Sequence, residues 1–156
     1  MLANPHRRGK GGFVRNDSRL SRMLHVLLHV ARQDGPMTSD AIARMLGTNA
    51  VVVRRTMAGL RDAGYVRSEK GHGGGWVLAA DLESVSLLDV HRAVGGPRIF
   101  AIGTEHANPD CAVEKVVNEA VADALAKAEA LLLARLGAVS LAELARGFGA
   151  LCRQAP

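Results

Sequence analysis

Arg54 and Arg55 stand side by side after three consecutive valines, Val51 to Val53. A guanidinium is a planar fork of donors that pairs with guanine edges or phosphate oxygens. A second basic group, Lys70 and His72, interrupts the run Glu69-Lys-Gly-His-Gly-Gly-Gly75. Glycines free a backbone to turn tightly and to approach a ligand closely. The phosphate cradle of a nucleotide enzyme leads from a strand into a helix. Here Trp76-Val77-Leu78 follows and alternates like a strand, so the run reads as a hairpin tip. No catalytic triad, phosphate-binding loop or metal-ligand set is present, which argues against an enzyme. His25 and His29 are spaced i, i+4, as metal ligands on a helix can be. Nothing nearby in the sequence supplies further ligands, so they are read as structural or surface histidines and no metal is assigned. The two cysteines, Cys111 and Cys152, make neither a disulfide framework nor a metal site.

These basic residues need elements that hold them on one surface. Thr38 caps a helix to Leu46, and Asn49 caps a second helix to about Ala63. Between them Ala43 is small where two helices cross, Gly47 permits a left-handed turn, and Val53 anchors the second helix. Met57 and Leu60 continue the stripe from Val53. With Val53 inward, Ala50, Val51, Arg54 and Arg55 are expected on the exposed N-terminal end of that helix. A recognition helix meets base edges there. Gly64 closes the helix, and Tyr65–Ser68 and Trp76–Leu78 form a hairpin with Lys70 and His72 at its tip. Trp76 is expected to be a core anchor. Helix, turn, helix and hairpin in this order make a winged helix-turn-helix over residues 18–80.

Bulk properties agree. The chain has 156 residues, 48% of them apolar but only 3% aromatic, so its core must be aliphatic. Net charge is +5, and it is unevenly spread. Residues 1–78 hold 13 Lys/Arg against 5 Asp/Glu, while residues 79–156 hold 7 against 10. The first part suits a polyanion and the second does something else. No apolar run reaches the length of a membrane span, and residues 1–17 are basic without an apolar signal core. A reducing cytoplasm fits best. Arg7, Arg8, Lys10 and Arg15 make residues 1–17 either a phosphate-touching arm or a solvated tail.

Asp17 or Ser18 caps a first helix to Arg32, with an apolar stripe of Leu20, Met23, Leu24, Leu27, Leu28 and Ala31. Arg19 and Arg22 oppose the dipole at its start, which hints that they face an anion. Ser86 and Asp89 form a capping box for a helix to Val94. After a loop at 98–107, Asn108-Pro109 starts a long helix over 109–136, closed by Gly137. Val113, Val117, Ala120, Ala124, Ala128 and Leu131 form one stripe of it. A helix of that length, with so many alanines, reads as a dimerisation helix. Ser140 and Glu143 cap a short last helix to about Gly147. Residues 81–148 are thus an effector and dimerisation region, and residues 149–156 a tail.

Arg61-Asp-Ala-Gly64-Tyr-Val-Arg67, followed by Lys70-Gly-His-Gly-Gly-Gly-Trp-Val-Leu78, resembles the wing signature of IscR/NsrR-type regulators, the Rrf-two family. The resemblance covers about residues 18–148. It implies a bacterial homodimeric repressor, mainly α with a small β-hairpin wing, whose long helices cross. Many members of that family hold an iron–sulfur cluster through three cysteines near the start of the long helix. Residues 96–115 contain only Cys111, with His106 and Asp110 as unconvincing extra ligands, so no cluster or other cofactor is expected. At the third position of the long helix, Cys111 would have its thiolate stabilised, which makes it a candidate redox sensor.

The expected function is a regulator that binds double-stranded DNA at a pseudo-palindrome. Asn49, Ala50, Val51, Arg54 and Arg55 would read bases. Arg19, Arg22, Thr38, Ser39, Arg61, Lys70 and His72 would hold the backbone or form the wing. The alternative is a winged-helix protein-interaction module without sequence-specific DNA binding.

Overall fold

The computed structural model describes residues 17–96, 99–100, 102–104 and 110–154, with side chains as far as Ala150. The basic arm, His106, the Asn108-Pro109 helix start and the Cys152 side chain lie outside the described residues.

The first helix, α1, spans Arg19–Arg32 and buries Met23, Val26, Leu27 and Val30. Its inner face is therefore rotated from the expected stripe. Val26 and Val30 are central, whereas Leu20 and Leu24 are only half-buried against the core. The apolar arc of this helix is broad, and packing against its neighbours selects which part lies deepest.

The helix-turn-helix follows as expected. In α2, Ser39–Leu46, the Thr38 side chain accepts from the Ala41 N–H, and Gly47 takes a left-handed conformation with φ 62°. In α3, Ala50–Asp62, the Asn49 side chain accepts from the Val52 N–H, and Val53, Met57 and Leu60 are buried. Gly59 lies where a Cβ would come within 2.2 Å of the Ala93 carbonyl oxygen, so the absence of a side chain lets α3 approach the helix containing Ala93.

Strands β1 (Val66–Glu69) and β2 (Gly75–Leu78) pair antiparallel, Val66 opposite Leu78 and Glu69 opposite Gly75. The hairpin is docked onto the body. Met37 and Trp76 exchange two backbone hydrogen bonds, of 3.0 and 2.9 Å, and the buried Trp76 indole N–H donates to Ser39 Oγ at 3.0 Å. A Cβ on Gly75 would sit 2.6 Å from the Met37 carbonyl, so glycine is required for this approach.

Helix α4, Leu87–Ala93, opens with the capping box of Ser86 and Asp89. Helix α5 spans Ala112–Gly137 and buries no residue. Its start is later than expected because Cys111 has extended backbone and occupies the N-cap; Ala138, one residue beyond Gly137, is the C-cap. Helix α6 spans Leu141–Gln154, so it continues well past Gly147 and takes up most of the expected tail. Leu141 and Val85 join α1, α2, α3, the wing and α4 in one aliphatic core.

Candidate nucleic-acid interface

The N-terminal end of α3 presents Val51 (67% exposed), Val52 (42%), Arg54 and Arg55 to solvent. Ala50 differs from expectation: it is half-buried and packs against the core. Val52 takes its place on the exposed side. With Val53 fixed inward, the 100° step of a helix leaves both neighbouring valines outside. Their methyl groups are apolar surfaces of the kind that meets a thymine methyl. Asn49 Oδ1 is engaged by the Val52 N–H at 3.0 Å. Its amide N–H groups remain as outward donors, so its capping role limits bidentate pairing with adenine.

A groove of about 520 Å³ runs between the start of α2, the face of α3 and the wing. Thr38, Ser39, Arg54, Arg61, Gly71 and Gly74 contribute to its walls. The Thr38 hydroxyl oxygen accepts from the Ala41 N–H, and Ser39 Oγ accepts from Trp76. Both hydroxyl protons are therefore free to be donated outward, as phosphate contacts need. Arg61 donates to Asp62 Oδ1 at 3.1 and 2.9 Å, a largely exposed pair. Such a pair is worth about 0–1 kcal/mol and yields readily to a phosphate. Lys70 and His72 are exposed at the wing tip, where Gly71 and Gly73 have φ of 99° and 82°.

The two arginines of α1 differ in their partners. Arg22 lines a crease with Thr48, Val52 and Thr56, beside the start of α3. Arg19 lines the same crease. It forms an ion pair with Asp17 at 2.6 Å and donates from Nη1 to the Val94 carbonyl at 3.1 Å. Hydrogen bonds from Arg19 hold the Asp17 carboxyl below the usual carboxylate range. Arg19 thus latches the start of α1 to the end of α4, a role its sequence position did not reveal. Among the described residues, Arg22, Arg54, Arg55 and Lys70 make no ion pair, so their charges are available to an external anion.

A capped recognition helix with unpaired arginines, a hydroxyl-lined groove and a docked wing define a DNA-binding regulator of the winged helix-turn-helix class. The chain belongs to the Rrf2 family, described as iron-dependent transcriptional regulators, whose family model matches residues 16–147. It is 33% identical over 129 residues to YwnA of Bacillus subtilis, named as an HTH-type transcriptional regulator. That match covers 82% of this chain and 95% of YwnA. A transcriptional regulator from Lactobacillus plantarum shares the fold with a TM-score of 0.70 at 23% identity, over 85% of this chain and 90% of the other. T. potens IscR does so with a TM-score of 0.59 at 22% identity, over 90% of each.

The residues at the start of α5 do not fit the iron that the family description names. A cluster needs a full set of thiolates. Cys111 is the single thiol of its segment, half-exposed and free, and Cys152 lies in a different helix. At the N-cap the Cys111 side chain makes no capping hydrogen bond, so the expected thiolate position inside the first turn is not formed.

Proposed function

We propose that the chain is a homodimeric repressor that binds a pseudo-palindromic operator without an iron–sulfur cluster. The observation that carries DNA reading is the unpaired Arg54–Arg55 pair in the N-terminal half of α3, with Arg54 sharing a groove with Gly71 and Gly74 of the wing. Dimerisation is supported by α5. Its 26 residues extend about 39 Å at 1.5 Å per residue, and Val113, Val116, Val117 and Leu131 are 54–74% exposed. Apolar surface of that extent on a regular helix suits a second copy of the chain, each long helix crossing the other. Two recognition helices related by a twofold axis read half-sites about 34 Å apart or a multiple of it. The protein acts by occupying DNA rather than by catalysis, in the cytoplasm. Among the described residues no helix is long and apolar enough to cross a membrane.

Genomic footprinting of the purified protein, with the affinity for the recovered site measured across salt, tests this reading. A twofold-symmetric protected site and a steep fall of affinity with salt are expected. Binding to random and recovered DNA with equal affinity would refute it. Cys111 is the candidate redox sensor of this reading, and no small-molecule effector is assigned. A Cys111→Ser protein with an unchanged peroxide response would remove the thiol from that role.

A further inference from the structure

His25, at the middle of α1, and His29, in its last turn, lie one turn apart, both exposed. Their side chains converge. The two Nε2 atoms are 3.0 Å apart, with ring centroids at 4.7 Å and an interplanar angle of 63°. Divalent metals hold imidazole nitrogens at about 2.0–2.1 Å, so two adjacent ligands at 90–109° are separated by about 2.9–3.4 Å. The observed spacing, made by a hydrogen bond between the two rings, falls within that range.

We propose that His25 and His29 form a two-imidazole site for a borderline divalent transition-metal ion such as Cu²⁺, Ni²⁺ or Zn²⁺. In the metal-free protein, one Nε2–H donates to the other Nε2. On coordination that proton leaves Nε2 and the ring takes its Nδ1–H tautomer, so both Nε2 lone pairs point at the metal and both rings stay neutral. No third His, Cys, Asp or Glu joins the pair among the described residues, so water completes the shell. The cleft has room for it. Leu28, Arg32 and Phe148 form the rest of a recess of about 180 Å³. His29 lies in the last turn of α1, where the helix dipole is negative and favours a cation. Arg32 opposes the ion. Its guanidinium is engaged 4.4 Å above the Phe148 ring, and its charge weakens the site without blocking it.

The site is separate from the α3–wing groove and from the Cys111 segment, so its fate does not depend on the proposed regulation. Imidazole ligands suit these metals, and affinity should rise toward copper, with Cu²⁺ above Ni²⁺ and Zn²⁺.

The test uses tag-free full-length protein titrated with CuCl₂, NiCl₂ or ZnCl₂ in calorimetry, with the visible absorption of bound Cu²⁺ as a second readout. One equivalent is expected to bind, and the melting temperature should rise with metal concentration. His25→Gln and His29→Gln should each weaken binding more than tenfold while circular dichroism shows an unchanged fold. His6→Gln and Cys111→Ser should retain binding, and Arg32→Gln should strengthen it. Binding that survives both His25→Gln and His29→Gln overturns the proposal. So does binding lost in only one of them, or lost in His6→Gln or Cys111→Ser instead.

Discussion

Replacing Leu131 by Ala removes three carbon atoms from a side chain that is 74% exposed on the single chain. If α5 pairs with a second copy through this face, those carbons become buried only in the dimer. At about 0.8 kcal/mol per buried carbon, full burial of three is worth about 2.4 kcal/mol. About three-quarters of that, roughly 1.8 kcal/mol, is still to be gained at the interface. Twofold symmetry counts it twice, giving about 3.6 kcal/mol, or roughly 400-fold in the dimer dissociation constant. The isolated chain should lose almost nothing, because the side chain has little to lose and alanine is the better helix former. Sedimentation equilibrium measures the first quantity, and thermal melting of dilute, monomeric protein measures the second. Binding to the full palindrome should weaken while binding to one half-site holds. A dimer constant changed less than about fivefold, or a melting temperature lowered in the monomer, would refute the reasoning that this face pairs two copies.

Three further outcomes are expected. Arg54→Ala should cost about 1–3 kcal/mol on the cognate site and relax one base preference, whereas Lys70→Ala should weaken all sequences alike and reduce the salt slope by about one; competition binding at several salt concentrations separates the two. Gly75→Ala should destabilise the protein by about 1–3 kcal/mol and weaken DNA binding, because its Cβ would meet the Met37 backbone at 2.6 Å and only a shift of the wing relieves it; urea unfolding alongside gel shifts checks this. Asp89 is held below its ordinary value of 3.8 by hydrogen bonds from the Ser86 side chain and backbone, so its contribution to stability is present above about that pH and lost as pH falls through the lower folded value. The stability gap between wild type and Asp89→Asn should accordingly be open at neutral pH and close in acid, and a gap that stayed constant would contradict the linkage.

Much of the fold was legible because it is written in short-range chemistry. Thr38, Asn49 and the Ser86–Asp89 pair cap the helices the sequence assigns to them, and Gly47 takes the left-handed turn between α2 and α3. Each is a local hydrogen bond or a local torsion that any neighbouring chain would leave intact. The wing was legible for the same reason, since a glycine run between two alternating segments has few other solutions. Local signals were weaker at α5, whose start lies past the expected position, and at α6, which continues past the glycine expected to end it.

The candidate interface divides along the same line. Sequence alone determined that Arg54, Arg55, Lys70 and His72 are exposed on a recognition helix and a wing tip, because one inward residue, Val53, sets the phase of a helix. It could not determine that Arg19 is held by Asp17 and Val94, that Ala50 packs inward while Val52 faces out, or that Trp76 donates to the Ser39 hydroxyl. Nor could it show that the Nε2 atoms of His25 and His29 come to 3.0 Å. These depend on partners far along the chain, or on rotamers that the surrounding packing chooses. The periodicity of a sequence fixes which face of a helix is apolar. Only the other elements laid against it decide where on that face the core begins, and which charges are left without a partner.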